Sequence, residues 1–515
     1  MRKLLNAEFG ERKITRIKRY VENVDFVLVF KNNEICINLV KELPFDVKIA
    51  LMKEMSSTYG DCSKPKKSKT SEEIAFTSYW AHLPSLLLQH IFDLLSKEDR
   101  QNASAVCKHW RENSFHPKWF PFVTFRLEQC NLERARFQIF TFGRITTNVK
   151  IIINSLSSEC VEDFIYLLRE MQKNNNIKSL MLEPTHCRLE LPIQQNGNRC
   201  NGDYEEILSL LKSCLPRLHK FSIGCLEDFS IQLEEILENL NPSTITHLGL
   251  ASVKDIPVKQ GGSYFDPNLI SPFTKLRILS IDYDQLSDEF LSKLDGATEL
   301  ERLVVHLHEI RQNHPGTTNN AWSNFNKNHQ GCELRLTVIH AFKDIDNLHE
   351  TVLRHKMPLS HLKVFFCEQV NLQVVENLSA YADTLRSIIW VDSLSNSQNS
   401  WLLVKPWFDA SPDPFVLTAW LCKHLEEFVL FGYKYWEENL IAIGRLRGDT
   451  LKRMEIAESD VLCSSRRTFT VLDTNDYSEK PWKPVKRSKL HPVVRNPTGG
   501  DSDEYLLPLV LADLH

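Results

Sequence analysis

A short segment recurs along this chain and limits what the chain can fold into. It reads IKSLML (177–182), LHKFSI (218–223), ITHLGL (245–250), LRILSI (276–281) and LERLVV (300–305). It continues as LRLTVI (334–339), HLKVFF (361–366), LRSIIW (385–390), LEEFVL (425–430) and LKRMEI (451–456). Each copy fits apolar-x-x-apolar-x-apolar, with a one-residue offset at His361 and Thr337 at one middle position. Spacings run from the low twenties to about forty residues. Repetition on this scale marks a solenoid, in which each turn supplies one strand and one helix and buries its apolar face against the next turn.

The best single copy, LRILSIDYDQL, places Leu276, Leu279, Ile281 and Leu286 at the apolar positions of a leucine-rich repeat. Asp284 stands where such repeats usually carry Asn, and elsewhere that place holds Val253, His308 or Val370. The repeats are therefore irregular. Between the strand segments, 161–173, 230–240, 288–294 and 374–383 carry apolar residues at helical spacing. Strand–helix alternation predicts a parallel sheet with helices behind it. A doubly wound sheet fits less well, because no glycine-rich phosphate turn follows any strand.

The flanks differ. Residues 1–58 read as a small ordered unit, a hairpin of 24–30 and 34–40 followed by a helix over 45–55. Residues 59–77 are polar and basic at Lys64, Lys66, Lys67 and Lys69, and read as a linker that could also serve as an import signal. A helical module occupies 78–122, the solenoid 123–460, and a largely disordered tail 461–515, whose apolar end YLLPLVLADLH could dock back or bind a partner.

The module holds the most specific pattern. Leu83 and Pro84 open a helix on which Leu86, Leu87, Leu88, Ile91, Phe92, Leu94 and Leu95 crowd nearly every face. A helix apolar all round must be covered on all sides. Ser96 and Asp99 form a capping box for a second helix, with Ala103, Val106, Cys107 and Trp110 as its apolar face. Pro117 and Trp119 end the unit. About forty residues bury too little surface to be stable without metal, disulfide or partner, and the module has no metal-ligand set.

LPSLLLQHIFDLLSKEDRQNASAVCKHWRENSFHPKWF resembles an F-box. The match lies in Leu83-Pro84, Ile91-Phe92, Asp99, Val106-Cys107, Trp110-Arg111, Pro117 and Trp119, with Leu86 a departure where an acidic residue is common. The resemblance implies binding to Skp1, and through it docking onto a cullin-RING ubiquitin ligase. It implies Skp1 contact or support from Leu83, Pro84, Leu87, Leu88, Ile91, Phe92, Leu95, Val106, Trp110 and Trp119. Residues 414–456 also resemble the C-terminal repeats of one F-box family member, at Pro414, Leu417, Ala419, Trp420, Cys422, Gly432, Tyr433, Trp436 and NLIAIGRLRG.

Other readings of the residues are weaker. Trp390, Tyr433 and Trp436 are candidate substrate-binding aromatics, although such residues more often fill the core between repeats. His306 and His308 alternate on one strand, but two histidines without a third ligand make a poor metal site. No hydrolase elbow, zincin motif, phosphate loop or paired-carboxylate motif stands out, and neither a cofactor nor a metal is expected. Cys107 reads as a buried, inert thiol. A net charge of -4 argues against nucleic acid as a partner, despite basic segments at 64–69 and 483–489. No long uncharged apolar run predicts a membrane span, the N-terminus lacks a secretory core, and the 13 scattered cysteines without C-x-x-C suit a cytoplasmic or nuclear setting. The expected protein is a non-catalytic substrate receptor of a ubiquitin ligase, with a Skp1-binding scaffold outside any ligase as the alternative.

Overall fold

The computed structural model describes residues 30–31, 34–35, 83–191, 201–254, 265–311, 313–394, 413–462 and 482–515. The chain forms two compact units, Met1–Trp119 and Phe120–His515. In the first unit, β1 (Phe30–Lys31) pairs antiparallel with β2 (Glu34–Ile35), inside the expected hairpin. The helix expected over 45–55 and the linker over 59–77 lie outside the described residues. Three helices follow: α1 (Ser85–Asp93), α2 (Lys97–Ser104) and α3 (Lys108–Ser114).

The second unit is built on one parallel sheet of twelve strands in chain order. These are β3 (Phe122–Leu127), β4 (Asn148–Ile153), β5 (Ser179–Pro184), β6 (Lys220–Ser222), β7 (His247–Gly249) and β8 (Ile278–Asp282). Next come β9 (Arg302–Leu307), β10 (Glu333–Ile339), β11 (Leu359–Phe365), β12 (Ser387–Val391) and β13 (Glu427–Phe431). A separate strand β14 (Tyr435–Trp436) precedes β15 (Arg453–Ile456), which closes the sheet, and β14 pairs with β16 (Val461–Leu462). All ten recurring segments became strands of this sheet. The pattern missed β3 and β4, whose sequences FVTFRL and NVKIII are rich in β-branched and aromatic residues but lack the repeat spacing.

Each strand lies beside its predecessor, with a helical segment in most of the crossovers. The longest crossover helix, Ser158–Gln172, starts at Ser157, whose side chain accepts from the Cys160 amide. On β8 all five residues are buried. Leu279 and Ile281 join the helix-side core, and Ile278 joins a second core on the opposite face. Burial on both faces is what parallel strands require.

Among the described residues, aspartates accept turn amides from the preceding repeat. Asp228 accepts from Leu189, Asp282 from Ser252, Asp344 from Ile310, and Asp460 from Gly432, at 2.7, 2.8, 2.9 and 3.0 Å. Asp284, expected at the Asn position, instead pairs with the Lys254 ammonium at 3.1 Å.

The tail corrects the sequence reading. Residues 482–515 are ordered, not disordered, and carry helices at Pro492–Arg495 and Ser502–Leu511. Leu490, Val493, Val494, Leu506, Leu507, Val510, Leu511 and Leu514 pack onto Met181, Ile278, Ile339, Phe365, Ile389 and Val429. They cover the sheet face opposite the helices. The composition of 480–504 is that of a solvated segment, and the apolar partner for its C-terminal side lies hundreds of residues away. No local pattern shows such a partner.

Candidate partner-binding sites

The helical module is organised around Phe92. Its side chain is fully buried. The ring meets Trp110 edge-on at 5.8 Å and Trp119 edge-on at 5.4 Å between centroids. Leu88, one turn earlier on α1, is the other fully buried apolar side chain among the module's described residues. The Pro84 carbonyl accepts from Leu87 and Leu88 amides at 2.9 and 3.1 Å, so Pro84 caps the helix rather than opening its first turn. His109 Nε2 lies 2.7 Å from the Leu83 carbonyl and ties α3 to the start of α1.

Asp93 closes the module, a role the sequence did not reveal. Its carboxylate accepts from Lys118 Nζ at 2.8 Å and Trp119 Nε1 at 2.9 Å, which holds the Pro117–Trp119 turn against α1. Partial burial pushes the Asp93 carboxyl up, but the two hydrogen bonds outweigh it and leave the group below its ordinary range. The Arg100 guanidinium sits 5.6 Å from the Trp119 ring, within cation–π range.

The expected second helix is two helices. Ser96 Oγ accepts the Asp99 amide at 3.1 Å, as the capping box predicts, and its hydroxyl donates to the Asp99 carboxylate at 2.7 Å. Yet α2 ends at Ser104, and Cys107 caps α3 through its sulfur, which accepts the Trp110 amide at 3.5 Å. Cys107 is therefore a half-buried cap, not a buried face residue. The apolar spacing carried across the break because two short helices can share one core. Likewise α1 stops at Asp93, so Leu94 and Leu95 lie in a turn and not on a third helical turn.

Burial sorts the module's apolar residues. Leu88 and Phe92 are core; Leu83, Pro84, Leu87, Ile91, Leu95, Trp110 and Trp119 are half-buried. Leu86, Leu94 and Val106 are exposed at 61%, 50% and 44%. Leu86 and Leu94, outside the expected contact set, are thus its most exposed large apolar side chains. The all-round apolar character of the opening helix was the signal for them.

In the repeat unit the aromatic candidates separate. Trp390 is wholly buried in the helix-side core, and Tyr433 is buried with its hydroxyl donating to Asp392 Oδ2 at 3.2 Å. Neither can offer a ring to a substrate. Apolar positions of a repeat point inward whatever their aromaticity, which corrects that assignment. Trp436 is half-buried, and Trp420 is exposed at 61%.

His306 and His308 are buried, and each places a ring nitrogen near the Ser252 carbonyl, at 3.0 and 2.9 Å. Burial lowers both, His308 to about 3, so they are neutral. Asp282 is the third group that the strand pattern did not show, with donor atoms of all three within 4.8 Å. Its carboxylate is already engaged: it accepts from the Ser252 amide and hydroxyl, and the Lys254 ammonium lies 3.5 Å away. The cluster is a buried charge network before it is a cation site. No helix among the described residues is long and apolar enough to cross a membrane.

The F-box-like family matches residues 80–121, over α1, α2, α3 and the closing turn. The protein thus carries an F-box-like module followed by an irregular leucine-rich-type repeat sheet. Across most of its length it is similar to F-box only protein 33 of Homo sapiens, with 24% identity over 442 residues, 74% of this chain and 77% of the relative. The Mus musculus protein of that name is also 24% identical, over 446 residues. Among solved structures it is similar to a chain of the yeast Rad7–Elc1 complex, at 15% identity and a TM-score of 0.35, covering 85% of this chain and 97% of that one.

Proposed function

We propose that this protein is the substrate-recognition subunit of a Skp1-cullin-F-box ubiquitin ligase, acting in the cytoplasm or nucleus. The F-box-like module binds Skp1, and the repeat unit holds a protein substrate. What supports this reading is the module at 80–121, with its aromatic core around Phe92 and its exposed Leu86, Leu94 and Val106. Apolar side chains displayed beside a satisfied core suit a partner surface. The chain itself makes and breaks no bonds. Its contribution is proximity: substrate lysines held near a ubiquitin-loaded enzyme react at a raised effective concentration.

The test is co-expression of the full chain with Skp1, then size-exclusion chromatography with and without a cullin scaffold. Co-elution in both cases is expected, and loss of it in the Leu94→Asp, Val106→Asp double variant, both at exposed positions, with an unchanged melting temperature. A folded wild-type chain that elutes apart from Skp1 would refute the reading. Co-elution with Skp1 but never with the cullin would leave a scaffold and not a ligase subunit.

A further inference from the structure

Residues 482–515 lie on the sheet face opposite the helices. The contact is more than an apolar lid. Three cations on adjacent strands, Arg302 of β9, Arg335 of β10 and Lys363 of β11, converge on the end of the Ser502–Leu511 helix. Arg335 Nη1 donates to Asp513 Oδ1 at 2.8 Å and Lys363 Nζ to Asp513 Oδ2 at 2.7 Å. Lys363 also donates to the Leu509 carbonyl at 2.7 Å. Arg302 Nη1 donates to the Asp513 and His515 carbonyls at 2.6 and 2.9 Å. The cations therefore read one carboxylate together with the carbonyl end of a helix, where its dipole is negative.

Further polar atoms lie buried along this contact. Arg302 Nε, Arg335 Nε, Thr337 Oγ1 and His306 Nε2 on the strands, and Asp503 Oδ1 on the tail, are buried without a hydrogen-bond partner. A buried ion pair is by itself weak evidence of a permanent seal, because its desolvation cost offsets much of its attraction. An apolar floor with directed charge is the chemistry of a helix-binding groove.

We propose that this face is a receptor for an apolar helix bearing a carboxylate near its C-terminal end, and that residues 482–515 occupy it in cis. The tail's own pattern defines the class: apolar residues spaced as Leu506, Leu507, Val510, Leu511 and Leu514, with an acid placed as Asp513. A substrate with that pattern binds only by displacing the tail, which competes at the roughly millimolar effective concentration of a tethered segment. The identity of the occupant as a substrate rests on the receptor reading above; occupancy of the groove does not.

The probe is a fluorescent peptide of residues 500–515, titrated into the full chain without Skp1. Wild type should bind it at least tenfold more weakly than a full-length variant with Leu507→Asp and Asp513→Lys, whose tail is loosened. Adding Lys363→Glu to that variant should abolish binding, and a peptide carrying Asp513→Lys should restore it. A loosened variant that keeps a cooperative melt but ignores the peptide would overturn the proposal. So would a variant that loses its melt, because the tail would then be a permanent part of the core. Skp1 co-elution, read separately, reports on the ligase reading alone.

Discussion

The Asp513 carboxylate lies 2.7 Å from the Lys363 ammonium, 150 residues earlier in the chain, and both side chains are buried. Burial pushes the Asp513 carboxyl up, but Lys363 and Arg335 outweigh it and hold the group below its ordinary range. Such a pair is costliest to break when the remaining charge stays buried and unpaired; here Arg335, 2.8 Å from Asp513 Oδ1, still holds the carboxylate once Lys363 is gone.

Lys363→Met should therefore destabilise the repeat unit, by less than the ~3–5 kcal/mol of a buried charge left wholly unpaired. Removing both charges, with Asp513→Asn added, should restore much of that loss. Chemical denaturation of the single and double variants checks this; equal losses in both would mean that the pair does not couple.

Phe92→Ala should unfold the F-box-like module, since truncating a fully buried aromatic costs about 3–5 kcal/mol. Hydrogen exchange over 83–119 should rise throughout. Leu86→Asp, at an exposed position, should leave exchange unchanged. The contrast separates core from contact surface inside one helix, and similar protection in both variants would contradict the burial of Phe92.

Asp460 should make the repeat unit more stable towards acid. Burial raises its carboxyl to about 6 from 3.8, although the Gly432 amide and Lys434 oppose the shift. A raised folded value means that the folded state holds the proton more tightly. The stability it contributes is complete below 3.8 and is lost as pH rises through about 6. Asp513 has the opposite sign, its contribution being lost as pH falls through its lowered folded value. Asp460→Asn keeps an acceptor for the Gly432 amide, which lies 3.0 Å away. It should raise stability at pH 8 by on the order of 1–3 kcal/mol. Melting curves of both proteins from pH 4 to 8 check it; parallel curves would refute the shift.

Much of this protein was legible in its sequence for one reason: the signals were local. The apolar-x-x-apolar-x-apolar segments fix alternating side chains on a strand, and their recurrence fixes parallel neighbours, so ten strands and the solenoid class follow without long-range knowledge. The residues from Leu83-Pro84 through Trp119 likewise resemble an F-box, and the family match at 80–121 agrees. Short helices blurred its interior, because Ala103, Val106, Cys107 and Trp110 keep helical spacing across the break after Ser104. Tertiary structure alone decided which apolar residues face outward. Trp390 and Tyr433 went into the core, while Leu86 stayed exposed. It also decided the fate of the tail. Leu506, Leu507, Val510 and Leu511 form an apolar surface whose partner strands lie far back in the chain, and Asp513 finds its charges on β10 and β11. A sequence shows that such a surface must be buried; only the folded sheet supplies the face that buries it.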